Sequence, residues 1–359
     1  LGVPMLLGPI CGPILGGWLI EAASWHWIFL INLPIGIVAL TMALRLLPKD
    51  DPSPSESFDF VGMLLLSPGL ALLLFGVSSV TETGTFLAAR VLVPGVIGAA
   101  LVVAFVFHAF GPEHPLIDLR LLKDKYMTIA VIAMSLFALA FFGAGLLFPS
   151  YFLQARGETT LAAGLLVAPQ GLGAMLSMPI AGTLNDRIGA GRVVVPGMVL
   201  MCAGMAVFTQ VGAATSYWLL GAALFVMGLG MGATMMPIMS AALATLTHQQ
   251  VARGSTLMNI IQQVAGAVGT ATMSVILANQ EKADPTALAI AFGGYQQARH
   301  TMPPEVFAHG LDQLSSAFGF TFLIAVIVLA FTLIPAFLLP RKKVTPTDAA
   351  DTTVPMMVG

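Results

Sequence analysis

Long apolar runs alternate with short polar links along the whole chain, and the lengths of the runs set the reading. A helix that crosses a bilayer needs about 20 mostly apolar residues. Ten runs reach that length: Leu1–Ile20, Trp25–Leu46, Phe58–Val80, Arg90–Phe110, Tyr126–Phe152, Thr160–Leu184, Arg192–Val211, Tyr217–Ser240, Ser255–Asn279 and Phe318–Leu339. Backbone polar groups in lipid must be satisfied within their own segment, so each run is predicted to be a helix. Links such as PKDDPSPSES, Pro48–Ser57, separate them. The pattern predicts an all-α integral membrane protein with about ten transmembrane helices and no extended soluble domain. The longest link on one side, Gln280–Ala317, contains amphipathic stretches such as TALAIAFGG. It reads as a surface-lying segment, a cap over a vestibule, or a partly ordered loop.

Composition narrows the picture. Of the 359 residues 57% are hydrophobic and 9% charged, against roughly 25% charged in a soluble domain. So few charges cannot coat a globule of this size. The distribution of Lys and Arg is more telling than the net charge. Arg45, Lys49, Arg120, Lys123, Lys125, Arg187, Arg192, Arg253, Arg341, Lys342 and Lys343 fall on one side, and Arg90, Arg156, Lys282 and Arg299 on the other. Eleven against four places the first side, with the C-terminus, in the cytoplasm. The first helix then runs outward, and the tail from Arg341 to Gly359 reads as a basic anchor followed by a disordered end. Cys11 and Cys202 lie far apart in apolar segments, which argues against a disulfide framework and a thiolate metal site. Nothing points to a nucleic-acid partner. The chain opens at Leu1, already inside an apolar run and without a recognisable signal peptide, which suggests a fragment.

Helix breakers crowd one apolar run. In GPICGPILGG, Gly8, Gly12 and Gly16 recur every fourth residue and so share a helix face, with Pro9, Pro13 and Gly17 beside them. In water each interior Gly costs about 1 kcal/mol and each Pro about 3. In a bundle, small residues instead let a neighbouring backbone approach, and Pro13 bends the helix by removing a hydrogen bond. This face is expected to be a tight packing surface.

GPICGPILGGWL followed by SWHWIFLINLPIG resembles the antiporter motif of the fifth helix, and the start of the sixth, in the major facilitator superfamily. The likeness is to its fourteen-helix drug:proton antiporter branch, often called EmrB/QacA-type. It continues through FDFVG (Phe58–Gly62), PLIDLRLL (Pro115–Leu122), YFLQARGETTLAAGLLVAPQGLG (Tyr151–Gly173), GTLNDRIGAGR (Gly182–Arg192), GLGMGATMMP (Gly228–Pro237) and ARGSTLMNIIQQVAGAVGTA (Ala252–Ala271). The resemblance implies an incomplete major facilitator fold lacking the first four helices. Residues 1–46 would be the remnant of the N-terminal bundle, 47–125 an inserted helix pair with its cytoplasmic linker, 126–340 the C-terminal six-helix bundle and 341–359 a cytoplasmic tail. It further implies a bacterial inner-membrane exporter of amphipathic small molecules that uses the proton gradient and no cofactor. Participation of a periplasmic adaptor protein stays open. The family's coupling carboxylate and arginine belong to helices not present, so the isolated chain is expected to be unable to couple transport to protons. A truncated, inactive product is the alternative.

Two further sets of residues are candidates. Gly182, Asp186, Arg187, Gly189 and Arg192 match the cytoplasmic loop motif, where a charge-assisted pair at a helix end could open and close as two halves rock. Asn259, Gln262 and Gln263 are polar within an apolar run, with Gly266, Gly269 and Thr270 following. Such groups face either a wet cavity or a neighbouring helix. Gln154, Gln170 and Phe141 are weaker candidates for the same cavity, Phe141 as part of a soft surface with Met134, Phe137, Phe142 and Phe148. No Asp or Glu falls in the middle of a predicted span. An intramembrane enzyme would need a reactive constellation such as paired aspartates or HExxH, and the six histidines are scattered near ends or in loops.

Overall fold

The structure, a computed structural model, describes residues 12, 14–46, 59–83, 87–112, 115–246 and 248–340. Of the first predicted span, Leu1–Ile20, Gly12 and residues 14–20 are described and helical, and the helix runs on to residue 22. A short helical turn, Trp27–Leu30, leads into α1 (Asn32–Leu46), with Asn32 donating from its amide to the Ile28 carbonyl at 3.2 Å. Next come α2 (Phe60–Thr83), α3 (Ala89–His108), α4 (Lys125–Gln154), α5 (Thr160–Ile188) and α6 (Ala190–Phe208). They are followed by α7 (Tyr217–Gly232), α8 (Met235–Leu243), α9 (His248–Glu281), α10 (Pro285–Gly293), α11 (Tyr295–Thr301), α12 (Pro304–Phe331) and α13 (Leu333–Leu338). Nine spans among the described residues are long and apolar enough to cross a membrane, and none of these residues forms a strand.

The core sits where α4, α6, α9 and α12 meet. Phe148 of α4 lies with its ring centroid 4.8 Å from Phe208 of α6 and 5.0 Å from Phe322 of α12. Tyr151 is fully buried, stacks edge-on to Phe318 at 5.7 Å and donates to the Gly212 carbonyl at 2.8 Å, so its polar end is satisfied. Leu146, Leu176, Ile180, Ile327 and Phe331 point outward. In a bilayer that arrangement needs no polar surface, because lipid tails are as apolar as leucine.

Glycine notches set the helix spacing. In α7 the run GLGMG is divided between two neighbours. A Cβ on Gly228 would lie 2.0 Å from the Gln170 carbonyl oxygen of α5, and one on Gly232 2.7 Å from that of Ala174. One on Gly230 would lie 2.3 Å from the Gly197 oxygen of α6. Residues four apart meet one helix and the residue between them meets the other, so α7 is wedged backbone to backbone between α5 and α6. The α2–α3 pair is built in the same way, with Gly98 against Leu73 and Gly76 against Gly95.

Short polar devices tie the ends. Asp59 caps α2 by accepting from Gly62 N at 2.8 Å, and it also meets His108 Nε2 at 2.8 Å and Leu116 N at 3.1 Å. Burial alone would raise its pKa, but the hydrogen bonds from Gly62, His108 and Leu116 together hold it below the ordinary aspartate value. That pins the α2–α3 pair to the linker before α4.

The segment from Gln280 to Ala317 is largely helical. Helix α9 runs on to Glu281, α10 and α11 follow, and α12 begins at Pro304, well before the predicted start of the last span. Ala287, Ile290, Ala298 and Leu311 join the main core. Gly157, at φ +66°, brings the α4–α5 turn against the Tyr295 ring of α11. Of the three readings of this segment, the partly ordered loop is the one the structure rules out, because the segment is helical and packs on the core. Asp284 gives it a firm start, accepting from Thr286 N and Ala287 N at the head of α10.

Candidate functional site

Halfway along α9 a cavity of about 600 Å³ opens between helices, a size suited to a small molecule. Its walls are Asn259, Gln262, Gln263, Gly266, Ala267 and Thr270 of α9, Phe142 of α4 and Met235 of α8. Residues 259, 262, 263, 266 and 270 fall on one face of a 3.6-residue helix, which is why the sequence delivers three amides to one place. Gly266 keeps this face low where Phe142 leans over it, 3.2 Å from the position of a Cβ. Met235 arrives because α7 ends at Gly232 and α8 restarts after Thr234, whose hydroxyl turns back to the Gly230 carbonyl at 2.7 Å.

The chemistry of the lining is amphipathic and uncharged. Among the described residues no protein group hydrogen-bonds the side-chain amides of Asn259, Gln262 or Gln263. They are therefore not spent on holding helices together, and each offers both donors and an acceptor to an occupant. Thr270 is engaged, donating to the Gly266 carbonyl at 3.0 Å. One aromatic ring and one thioether supply a soft apolar wall.

Other candidates fall elsewhere. Phe141 is core, 8% exposed and stacked on Phe137 at 5.4 Å, and its neighbour Phe142 is the ring that faces the cavity. Consecutive helix residues point about 100° apart, and at this pair it is the Phe142 side that turns to the wall. Gln154 is the last residue of α4, with its Oε1 buried and without a partner among the described residues. Gln170 offers its backbone to Gly228 and does not line the cavity.

The glycine-proline motif lies partly beyond view, since Gly8, Pro9 and Pro13 are outside the described residues. A Cβ on Gly12 or Gly16 would meet nothing within 4 Å among the described residues, so the close approach expected at these two is not made there. The contact falls on Gly17 instead, where a Cβ would sit 2.6 Å from the Thr160 carbonyl oxygen and 2.9 Å from the Leu161 Cα at the head of α5. One turn on, Glu21 accepts from Leu161 N at 2.9 Å and from the Thr160 hydroxyl at 3.2 Å. The Leu161 amide bond, with Thr159 and Thr160 adding to it, holds the Glu21 carboxyl below the ordinary range.

In the α5–α6 turn, Gly189 at φ +87° both ends α5 and starts α6, a backbone that favours glycine. Arg192 donates from its amide to the Gly189 carbonyl at 3.3 Å, while its side chain is exposed. Asp186 and Arg187 are exposed, form no ion pair among the described residues, and Gly182 has open space beside it. The tie across this end is Asn185 Nδ2 to Ser240 Oγ at 3.2 Å, joining α5 to α8. Sequence reasoning passed over Asn185 and Met235 because neither stands out by residue type, and named Phe142 only as one of several residues of a soft surface.

A bundle of apolar helices around an uncharged amphipathic cavity halfway along one of them defines a multi-pass membrane protein. The family model of the Major Facilitator Superfamily matches residues 1–270, and the chain belongs to that superfamily. It is 45% identical over 358 residues to the "Multidrug resistance protein B homolog" of Mycobacterium tuberculosis, covering 96% of this chain and 66% of that relative. It is 27% identical over 334 residues to "Lincomycin resistance protein LmrB" of Listeria monocytogenes, covering 93% and 68%. To "Multidrug export protein EmrB" of Escherichia coli it is 26% identical over 315 residues, covering 86% and 61%. The chain thus spans about two thirds of the length of the curated relatives it matches.

Proposed function

We propose that this protein is a secondary transporter that exports amphipathic small molecules from the cytoplasm in exchange for protons, by alternating access of a midplane cavity. The observation that carries the reading is the cavity on α9, whose three amides have no protein partner among the described residues and whose other walls, Thr270 apart, carry no polar side chain. Such a lining binds a greasy molecule with a few polar groups and does not demand a particular charge. The printed names of the relatives, multidrug and lincomycin resistance, are of the same kind. The cavity wall carries no acid, so proton exchange is assigned to a carboxylate elsewhere in the protein, and the cavity residues by themselves do not couple. The eleven-to-four bias of Lys and Arg supports a cytoplasmic C-terminus in a bacterial inner membrane. The contact of Gly17 and Glu21 with the head of α5 is assigned to closing the outer side. The Gly182–Arg192 turn is assigned to the inner side, working through Asn185 and Ser240. A periplasmic adaptor is compatible with this reading and is not required by it.

The test is uptake of a labelled lipophilic drug into inverted membrane vesicles. Uptake that collapses on adding a protonophore supports proton exchange. Uptake indifferent to the proton gradient rejects that coupling, and no uptake of any amphipathic compound rejects export.

A further inference from the structure

Two segments far apart in sequence are joined at one end of the bundle. The Gly191 amide, at the head of α6, donates to the Pro340 carbonyl, just past α13, at 3.0 Å. Gly191 and Leu339 are both buried, so the joint is packed as well as bonded. Arg192 follows Gly191 and Arg341 follows Pro340, and a trans peptide places each of their Cα atoms about 3.8 Å from that of a residue in the bond. Arg341, Lys342 and Lys343 lie outside the described residues, and it is the peptide link that brings Arg341 to this spot. Arg187 arrives from the other side of the α5–α6 turn, because Gly189, at φ +87°, ends one helix and starts the next. Residues 182–192 and 333–343 together carry five cations and one acid, Asp186.

The cations of the turn are not spent on the protein. The side chains of Arg187 and Arg192 are exposed, and neither meets an acceptor among the described residues. Arg120, in the linker before α4, differs in that it donates to the Phe110 and Pro112 carbonyls. An excess of cations on the cytoplasmic side is a rule of topology, but that rule does not ask two remote segments to bring theirs to one point. Beside the cations stands an apolar wall. Helix α13 packs on α6 and α4 with Pro335 and Ala336 buried, and it leaves Ile334, Phe337 and Leu338 exposed. A cationic rim over an exposed apolar face fits a molecule with an anionic head and hydrocarbon tails. Arginine forks match phosphate oxygens in geometry as well as charge, and basic pockets at the cytoplasmic ends of membrane helices suit lipid headgroups.

We propose that Arg187, Arg192, Arg341, Lys342 and Lys343 bind the phosphate headgroup of an anionic phospholipid, whose acyl chains lie against Ile334, Phe337 and Leu338. The site is built on the ends of α5, α6 and α13, none of which lines the cavity halfway along α9, and it stands whatever compound is exported.

The test uses the purified full chain in a neutral detergent and does not depend on transport. Thermal unfolding is followed during titration with phosphatidylglycerol, phosphatidylcholine or inorganic phosphate. Phosphatidylglycerol is expected to raise Tm saturably, and the other two to leave it unchanged. The double variant Arg187→Gln/Arg192→Gln and the triple variant Arg341→Gln/Lys342→Gln/Lys343→Gln should each need several-fold more phosphatidylglycerol for half the shift. Arg45→Gln/Lys49→Gln, which removes two cations of the same side from another place, should need no more than the wild type. No shift with phosphatidylglycerol in the wild type overturns the proposal. So does an equal shift with phosphatidylcholine, which would make the contact one of tails alone, or with inorganic phosphate, which would make it a free-anion site. An equal loss in the Arg45/Lys49 variant overturns it as well, since diffuse surface charge would then suffice. If the Arg187/Arg192 variant does not fold, the triple variant, whose changes all fall beyond α13, decides alone.

Discussion

Replacing Gly17 with alanine puts a methyl group where the backbone of α5 already stands. The new Cβ would lie 2.6 Å from the Thr160 carbonyl oxygen, and ordinary contact begins near 3.4 Å, so the two helices must part by about 0.8 Å. The Glu21–Leu161 bond, now 2.9 Å, would lengthen to about 3.7 Å and cease to be a hydrogen bond. Overpacking of this kind costs about 1–3 kcal/mol, which shifts an equilibrium between joined and parted outer ends by roughly 5–150-fold. The assay is alkylation of Leu161→Cys by a membrane-impermeant maleimide applied from outside, with Cys11 and Cys202 replaced. Gly17→Ala is expected to raise the alkylation rate within that range and to depress export. Gly16→Ala, with nothing within 4 Å of its new methyl, is expected to leave both unchanged. If Gly16→Ala opens the outer side and Gly17→Ala does not, the assignment of the close contact is wrong.

Gly228→Ala drives a methyl to within 2.0 Å of the Gln170 carbonyl and is expected to cost at least the ~1–3 kcal/mol typical of overpacking, read as a fall in Tm. Gly145→Ala, in open space on α4, should instead gain about 0.5–1 kcal/mol in the same measurement. Gln262→Leu removes a donor and an acceptor from the cavity, and competition assays in vesicles should show weaker handling of polar-substituted drugs with little change for purely aromatic ones. Asp284 is held at about pKa 2, below the ordinary 3.8, first by the Thr286 hydroxyl and then by the Ala287 amide. A depressed pKa means that its contribution is complete above pH 4 and disappears as pH falls through about 2. Hydrogen exchange at Thr286 and Ala287 should therefore stay protected at pH 5 and accelerate between pH 4 and 2; protection unchanged at pH 2 would count against the cap.

Much of the architecture was legible because run length is a strong signal in lipid. A segment of apolar residues long enough to cross has no other stable structure, and the α4 and α5 spans fall within a few residues of where the pattern puts them. The ends were less legible. Helix α12 starts at Pro304 because its first turns pack on α10 through Gly310, Ile290 and Thr286, and a hydropathy pattern cannot report a contact with another segment. At the cavity the amides announced themselves by being polar at depth, whereas Phe142 could not be told from Phe141 without knowing which side of α4 meets α9. Gly17 was masked by the regularity of Gly12 and Gly16: the four-residue rhythm marks a face, but a close approach depends on which neighbour comes near it.

The notches along α7 bear on how the molecule can move. Side chains that interdigitate can hop rotamers and let helices slide, but a carbonyl oxygen seated where a Cβ is missing has no rotamer to change. With Gly228 and Gly232 seated on α5, and Gly230 and Gly204 locking α7 to α6, any axial slip must first lift the helices apart. These three helices therefore behave as a slab with no internal gears. Relative motion is left to the seams sealed by side chains, such as Phe142 and Met235 on either side of the cavity, and these should be the compliant joints of the molecule.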